Sequence, residues 1–93
     1  MVERQLRKVA EQLTALREEL RVLEEQLVHF DDAADDARLR SLVSETPAAE
    51  QEHRQAQRHA DAMKRRRADV AAEIERLETT QDGLLDRFTE ERR

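Results

Sequence analysis

Apolar residues recur along the first part of the chain with spacings that alternate between four and three residues. The series runs without a slip through Val2, Leu6, Val9, Leu13, Leu16, Leu20, Leu23, Leu27 and Phe30. A sustained average spacing of 3.5 residues is typical of helices that pack as a left-handed coiled coil. Ala34 and Ala37 continue the series with small side chains. The pattern predicts one long helix with a single narrow apolar seam.

The second part of the chain repeats the same alternation. Its members are Ala49, His53, Ala56, Ala60, Met63, Arg67, Val70, Ile74, Leu77, Gln81, Leu84 and Phe88. Arg67 and Gln81 are the polar interruptions of an otherwise apolar stripe. The spacing predicts a second long helix whose seam matches that of the first.

A helix stop and restart lie between the two series, at Ser44-Glu45-Thr46-Pro47. Thr46 is a favourable N-cap, and Pro47 suits the first helical position, where its missing N–H costs nothing. Proline also pushes the residue before it out of the helical region. We therefore predict a single hairpin domain over residues 1–93, with a helix over 2–43, a turn at 44–46 and a helix over 47–91.

The short break favours an all-α, long antiparallel two-helix coiled-coil hairpin over a parallel dimer of straight rods. A turn centred near residue 45 would pair Leu13 with Leu77, Phe30 with Ala60 and Leu23 with Arg67. A lone pair of helices buries one stripe on each helix, which is little for a chain of this length. We therefore expect two hairpins to pack as a homodimer into a four-helix assembly through the off-seam residues Val22, Val28 and Leu85.

One stretch departs from the heptads before the turn. Leu39, Leu42 and Val43 fall off the seam, and the preceding run 31–36 holds four aspartates of poor helix propensity. A kink near 31–36, or a separate short helix over 33–43 capped by Asp32, is one expectation. The three apolar residues have two interpretations: they contact a partner, or they fold over Ala48 and Ala49 and close the hairpin's own end.

Composition excludes several classes of protein. Charged residues make up 42% of the chain and aromatic residues 2%, with no cysteine, one glycine and one proline. A β-containing globular domain needs turn residues and strand formers that this chain lacks. We predict no disulfide, no thiolate metal site, no cofactor and no membrane span, and we expect a cytoplasmic location.

The net charge of −5 conceals a basic segment at 53–67, which holds six basic groups and one acidic group. A phosphate-binding patch is one interpretation, and charge compensation by acidic residues of the first helix, Glu24 and Glu25 included, is the other. Sequence-specific nucleic-acid binding is disfavoured because no aromatic residue lies near this segment in the sequence to stack on bases, and because the net charge is acidic. The basic residues are Arg54, Arg58, Lys64, Arg65, Arg66 and Arg67.

Candidate chemistry is sparse elsewhere. The aspartates at 31, 32, 35 and 36 lack the spacing of a calcium loop, and Asp36 is placed to pair with Arg40. His29 and His59 could approach each other across the seam, but scattered histidines are commoner than metal ligands. Two packed helices offer no concave pocket for a catalytic constellation, so we predict a protein that is not an enzyme.

The hairpin outline is similar to the coiled-coil arm of Gre-type transcription factors, which enters the secondary channel of RNA polymerase. The matching residues are Leu16, Glu19 and Leu20, then Ser44-Glu45 at the turn, and the run Ile74-Glu75-Arg76-Leu77-Glu78. The resemblance implies a regulator that acts through its tip. It covers the arm only, since the family's globular domain has no counterpart in these residues, and Ser44-Glu45 reproduces its turn motif only in part.

Three functions follow as hypotheses. The first is a non-catalytic coiled-coil protein–protein interaction module, an adaptor or scaffold, whose partner site is Leu39, Leu42 and Val43. The second is a regulator that inserts the hairpin tip into a larger machine such as RNA polymerase or the ribosome. The third is non-specific nucleic-acid binding through the basic segment.

Overall fold

The computed structural model describes all residues, 1–93, and contains two helices. Helix α1 spans Val2–Ser44 and helix α2 spans Pro47–Glu91, and the chain has no strand. The all-α helical hairpin predicted from the heptads is confirmed. Helix α1 ends one residue beyond the predicted position 43, and α2 begins at the predicted residue 47.

The turn between the helices is built from Glu45 and Thr46. The Glu45 backbone N–H donates to the Ser41 carbonyl at 3.1 Å, and Glu45 itself lies in the left-handed region with a φ of 52°. The Ala49 N–H donates to the Thr46 side-chain oxygen at 3.2 Å, as expected of an N-cap. The C-terminal stop is thus a left-handed residue without the glycine that usually fills this position.

We expect Glu45→Gly to raise the free energy of unfolding by about 0.5–1 kcal/mol, because glycine adopts a positive φ without the steric penalty of a Cβ. Urea denaturation followed by circular dichroism measures the change. Glu11→Gly, at an exposed position inside α1 that makes no ion pair, is the matched control and should destabilise the chain by a similar amount. Equal losses in both variants would contradict a strained turn at Glu45.

The chain divides into two compact units, each made of one stretch of α1 and one of α2. The first unit joins residues 1–21 to 69–93. Its helices are antiparallel, since Glu3 pairs with Arg92 at 3.3 Å and Arg17 pairs with Glu78 at 3.2 Å. The buried seam residues of this unit are Val2, Val9, Leu13, Val70, Ile74 and Leu84.

The second unit spans residues 22–68 and contains the turn. Phe30 packs edge-on against His59, with ring centroids 6.1 Å apart, which sets the register within one residue of the predicted Phe30–Ala60 pair. The buried residues are smaller toward the turn, since alanine replaces leucine at the seam positions. These residues are Leu23, Leu27, Ala34, Ala37 and Ala60.

The expected separate helix over 33–43 is wrong, because α1 runs unbroken through residues 31–36. Two observations give the physical reason. Ala34 and Ala37 are buried, so the seam continues through the aspartate run, and Asp31 forms an ion pair with Lys64 of α2 at 3.3 Å. Tertiary packing therefore outweighs the poor helix propensity of the aspartates.

Every predicted seam position is buried or half-buried except Arg67, which is exposed and makes no ion pair. We expect Arg67→Leu to stabilise the chain by about 1 kcal/mol, because it extends the apolar stripe where a charge now interrupts it. Arg65→Leu, an exposed off-seam change of the same chemistry, should be close to neutral. Denaturation midpoints of the two variants measure the difference, and equal midpoints would argue against the seam register.

Candidate functional site

Three apolar side chains near the turn remain in contact with solvent. Leu39 is 56% exposed, Leu42 is 64% exposed and Val43 is 85% exposed. Spacings of three and four residues place them side by side on one face of α1. We call these three residues the tip patch.

The tip patch faces away from the seam. Ala37 is buried and Ser41 is half-buried, so the seam continues along the heptad positions while Leu39, between them, lies on the opposite side of the helix. The interpretation in which these residues fold over Ala48 and Ala49 is therefore wrong. Their side chains are too exposed to close the hairpin's own end.

An acidic cluster precedes the tip patch on the same outer face. Asp32, Asp35 and Asp36 lie seven residues before Leu39, Leu42 and Val43 respectively, and a seven-residue step returns nearly to the same side of a helix. All three aspartates are exposed and make no ion pair. We call them the aspartate cluster.

The predicted pair of Asp36 with Arg40 is wrong. The Arg40 guanidinium instead donates to Glu52 of α2 at 2.8 Å, because Arg40 lies on the flank of α1 that is nearer the second helix. Asp31, the fourth aspartate, is likewise engaged across the seam with Lys64. The aspartates of this run that are left unpaired, Asp32, Asp35 and Asp36, therefore lie on the outer face.

The basic segment is compensated in part. Arg54 pairs with Glu50 at 3.2 Å within α2, and Lys64 pairs with Asp31 rather than with the predicted Glu24 or Glu25. Arg66 also has an interaction partner, whereas Arg58, Arg65 and Arg67 are exposed without an ion pair. Three cations of this segment thus remain available to solvent.

Within the first unit, Glu18 and Arg21 form an exposed ion pair one turn apart. Arg21 donates from Nε and Nη2 to the two Glu18 carboxylate oxygens, at 3.1 and 2.6 Å. These hydrogen bonds, and then the attraction of the opposite charges, lower the pKa of Glu18 below its usual value. Such exposed pairs add little to stability, so they shape the charged surface more than the fold.

The histidines and carboxylates do not assemble into a metal centre: no group of three or more such side chains is placed to hold an ion. His59 does lie on the seam side near Phe30, but as a ring contact. An open apolar depression there is lined by Phe30, His59, Ala62 and Met63. Phe30 and Met63 are half-buried there, so the depression is an exposed edge of the seam.

The first unit has a shallow apolar groove that the heptad pattern did not predict. Leu6, Leu85 and Phe88 line its apolar part, and the Arg92 guanidinium lies 4.9 Å from the Phe88 ring centroid. Leu85 is 46% exposed. The available signal was the position of Leu85, directly beside seam residue Leu84 and one turn before Phe88.

No protein-family model, no curated protein and no solved structure matches this chain. The likeness to the Gre-type arm therefore stays a resemblance of hairpin outline. Neither helix contains a segment that is long and apolar enough to cross a lipid bilayer.

Proposed function

We propose that this chain is a non-catalytic protein–protein interaction module, an adaptor or scaffold, that contacts its partner through the tip patch. The observation that carries the proposal is the exposure of Leu39, Leu42 and Val43 on the outer face of a helix. Three adjacent apolar side chains that are each more than half exposed are typical of interaction surfaces. The aspartates beside them supply a polar margin, as interfaces commonly have.

The test combines recovery of a partner with a stability measurement. A photo-crosslinking residue at position 42 is compared with one at position 72, an exposed alanine position in α2, in extracts of the native host. We expect a discrete crosslinked protein from position 42 alone, and its loss when Leu39→Ala and Val43→Ala are added to the chain that carries the crosslinking residue. Leu39→Ala/Leu42→Ala without the crosslinking residue should keep its melting temperature, since neither side chain is buried.

A large loss of stability in the double variant would contradict the proposal, because it would show that these leucines support the fold. Crosslinking that is equal at positions 42 and 72 would contradict it as well. The identity of the product separates adaptor from regulator: recovery of a subunit of RNA polymerase or the ribosome would favour the tip-insertion alternative. That alternative is supported by the strained, exposed Glu45 at the turn.

We further propose that two copies associate as a homodimer through side chains off the seam. Val28 is 59% exposed and Leu85 is 46% exposed, whereas Val22 is half-buried. Sedimentation equilibrium at tens of micromolar should give twice the chain mass of 10.9 kDa. Val28→Ser and Leu85→Ser should shift the equilibrium toward the monomer, and a monomeric wild-type chain would overturn the proposal.

Non-specific nucleic-acid binding is a second candidate, and the unpaired Arg58, Arg65 and Arg67 favour it. With three free cations the binding of duplex DNA should be weak. The logarithm of the association constant should fall with the logarithm of the salt concentration at a slope of about −3. Fluorescence anisotropy over a salt series measures both quantities. A nanomolar complex at physiological salt would make the basic segment the principal site instead of the tip patch.

A further inference from the structure

We propose that the partner segment recognised by the tip patch is a helix in which an apolar heptad adjoins a basic heptad. This inference rests on the proposed function and specifies the chemistry of the partner. The apolar heptad would cover Leu39, Leu42 and Val43. The basic heptad would lie over the aspartate cluster, Asp32, Asp35 and Asp36.

The spacing of the outer face sets this pattern. Each aspartate precedes one patch residue by seven positions, which corresponds to about 10 Å along a helix. The three carboxylates and the three apolar side chains therefore form two adjacent zones on one side of α1. A partner helix that lies along this face contacts the aspartate cluster with one of its heptads and the tip patch with the next. A partner of compact, irregular shape would not match this spacing.

Charge complementarity selects a basic occupant. The carboxylates of the aspartate cluster have no ion-pair partner within the chain. The cations that follow the cluster in sequence, Arg38 and Arg40, flank the outer face instead of lying on it, and Arg40 is held by Glu52 at 2.8 Å. An acidic partner would meet repulsion at this zone, whereas three lysines or arginines would find unpaired carboxylates.

A second copy of this chain does not supply the required pattern. Its exposed cations without an ion pair on the outer helix faces are Arg58 and Arg65 of α2 and Arg4, Arg7 and Lys8 of α1, and the outer positions around them carry no large apolar residue. The residues at those positions are Pro47, Ala48, Gln51, Arg54, Gln55, Ala62 and Ala68 in α2, and Glu11, Thr14 and Ala15 in α1. The occupant is therefore a helix of a different protein.

The test uses two stapled, fluorescein-labelled model helices of about three heptads, a length at which helices hold their structure once stapled. Both carry the same leucine heptad. In one peptide the adjoining heptad has three lysines on the same face, and in the other it has three glutamates. Fluorescence anisotropy in physiological salt measures binding of each peptide to the full chain and its variants.

Three variants separate the contributions. The patch variant is Leu39→Ser/Leu42→Ser/Val43→Ser, and the cluster variant is Asp32→Asn/Asp35→Asn/Asp36→Asn. The control variant, Asp82→Asn/Asp86→Asn/Glu90→Gln, removes three exposed carboxylates of α2 that likewise make no ion pair. Cluster and control variants change the net charge by the same amount, so a difference between them reports position, not total charge.

We expect the lysine peptide to bind the wild-type chain, and the patch and cluster variants each to weaken it about tenfold or more, while the control variant does not. The glutamate peptide should not bind. Binding of both peptides through the tip patch would overturn the basic-partner inference and leave the proposed function standing. Binding that the cluster and control variants weaken equally, or no binding at all, would also overturn the inference.

Self-association is the remaining outcome. If the patch variant abolishes an oligomer that the wild-type chain forms in sedimentation equilibrium, then a second copy occupies the tip patch and the inference is wrong. The crosslinking experiment at position 42 tests the proposed function separately, because it does not use the peptides.

Discussion

Replacing Leu13 by alanine is expected to lower the free energy of unfolding by about 3 kcal/mol. Leu13 is 1% exposed and is the largest of the fully buried side chains. Its removal leaves a cavity in a seam that is one side chain wide on each helix, so few neighbours can move in to fill it. Urea denaturation followed at the helical circular-dichroism band measures the loss, with an unchanged slope showing that the two-state transition is kept.

Leu42→Ala is the matched control, since it makes the same chemical change at a side chain that is 64% exposed. Its effect should stay within about 0.5 kcal/mol. If Leu42→Ala destabilised the chain as strongly as Leu13→Ala, the tip patch would be covered in solution and would not be available to a partner. A neutral Leu13→Ala would mean that the heptad seam is not the source of stability.

The heptad spacing predicted the seam because burial between two helices leaves a period that a single sequence displays. All eleven predicted positions of α1, from Val2 to Ala37, are buried or half-buried. The turn could also be predicted, because Thr46 and Pro47 act through local backbone geometry that does not depend on the rest of the fold. The sequence showed Arg67 as a polar interruption of the stripe, but it did not predict that this side chain is exposed.

Local rules failed where two effects competed. Aspartates at 31, 32, 35 and 36 are poor helix formers, yet the burial of Ala34 and Ala37 on the other side of α1 keeps the helix intact. The rule for residues four apart assigned Arg40 to Asp36. That rule takes no account of the other helix. The register of the two helices brings the Glu52 carboxylate within 2.8 Å of the Arg40 guanidinium, and the sequence spacing alone does not show this.

The candidate site was predicted in part for the same reason. Periodicity showed that Leu39, Leu42 and Val43 leave the seam, because their angular position follows from their numbers alone. It could not show whether the end of the hairpin closes over them. That depends on how the turn at Glu45 directs the chain, and the exposure of all three side chains settles it against closure.

The fully buried position of Ala60 should tolerate a charge poorly. Ala60 is 0% exposed and lies beside His59, whose ring contacts Phe30 across the seam. A carboxylate introduced by Ala60→Asp would be desolvated without a hydrogen-bonding partner. We expect this variant to lose about 3–5 kcal/mol of stability, which is the usual range for an uncompensated buried charge.

Ala68→Asp separates burial from helix propensity. Ala68 is exposed on the same helix, so the control shares the intrinsic cost of replacing alanine by aspartate, about 0.7 kcal/mol, and little else.

The pH dependence of the stability of Ala60→Asp supplies a second check. Burial raises the pKa of the introduced carboxyl, so the destabilisation by Ala60→Asp should be smallest at low pH, where that carboxyl is neutral, and should grow as pH rises through its unfolded value. Urea denaturation of both variants at pH 4 and pH 7 measures these differences, and equal losses at the two positions would show that Ala60 is not enclosed between the helices.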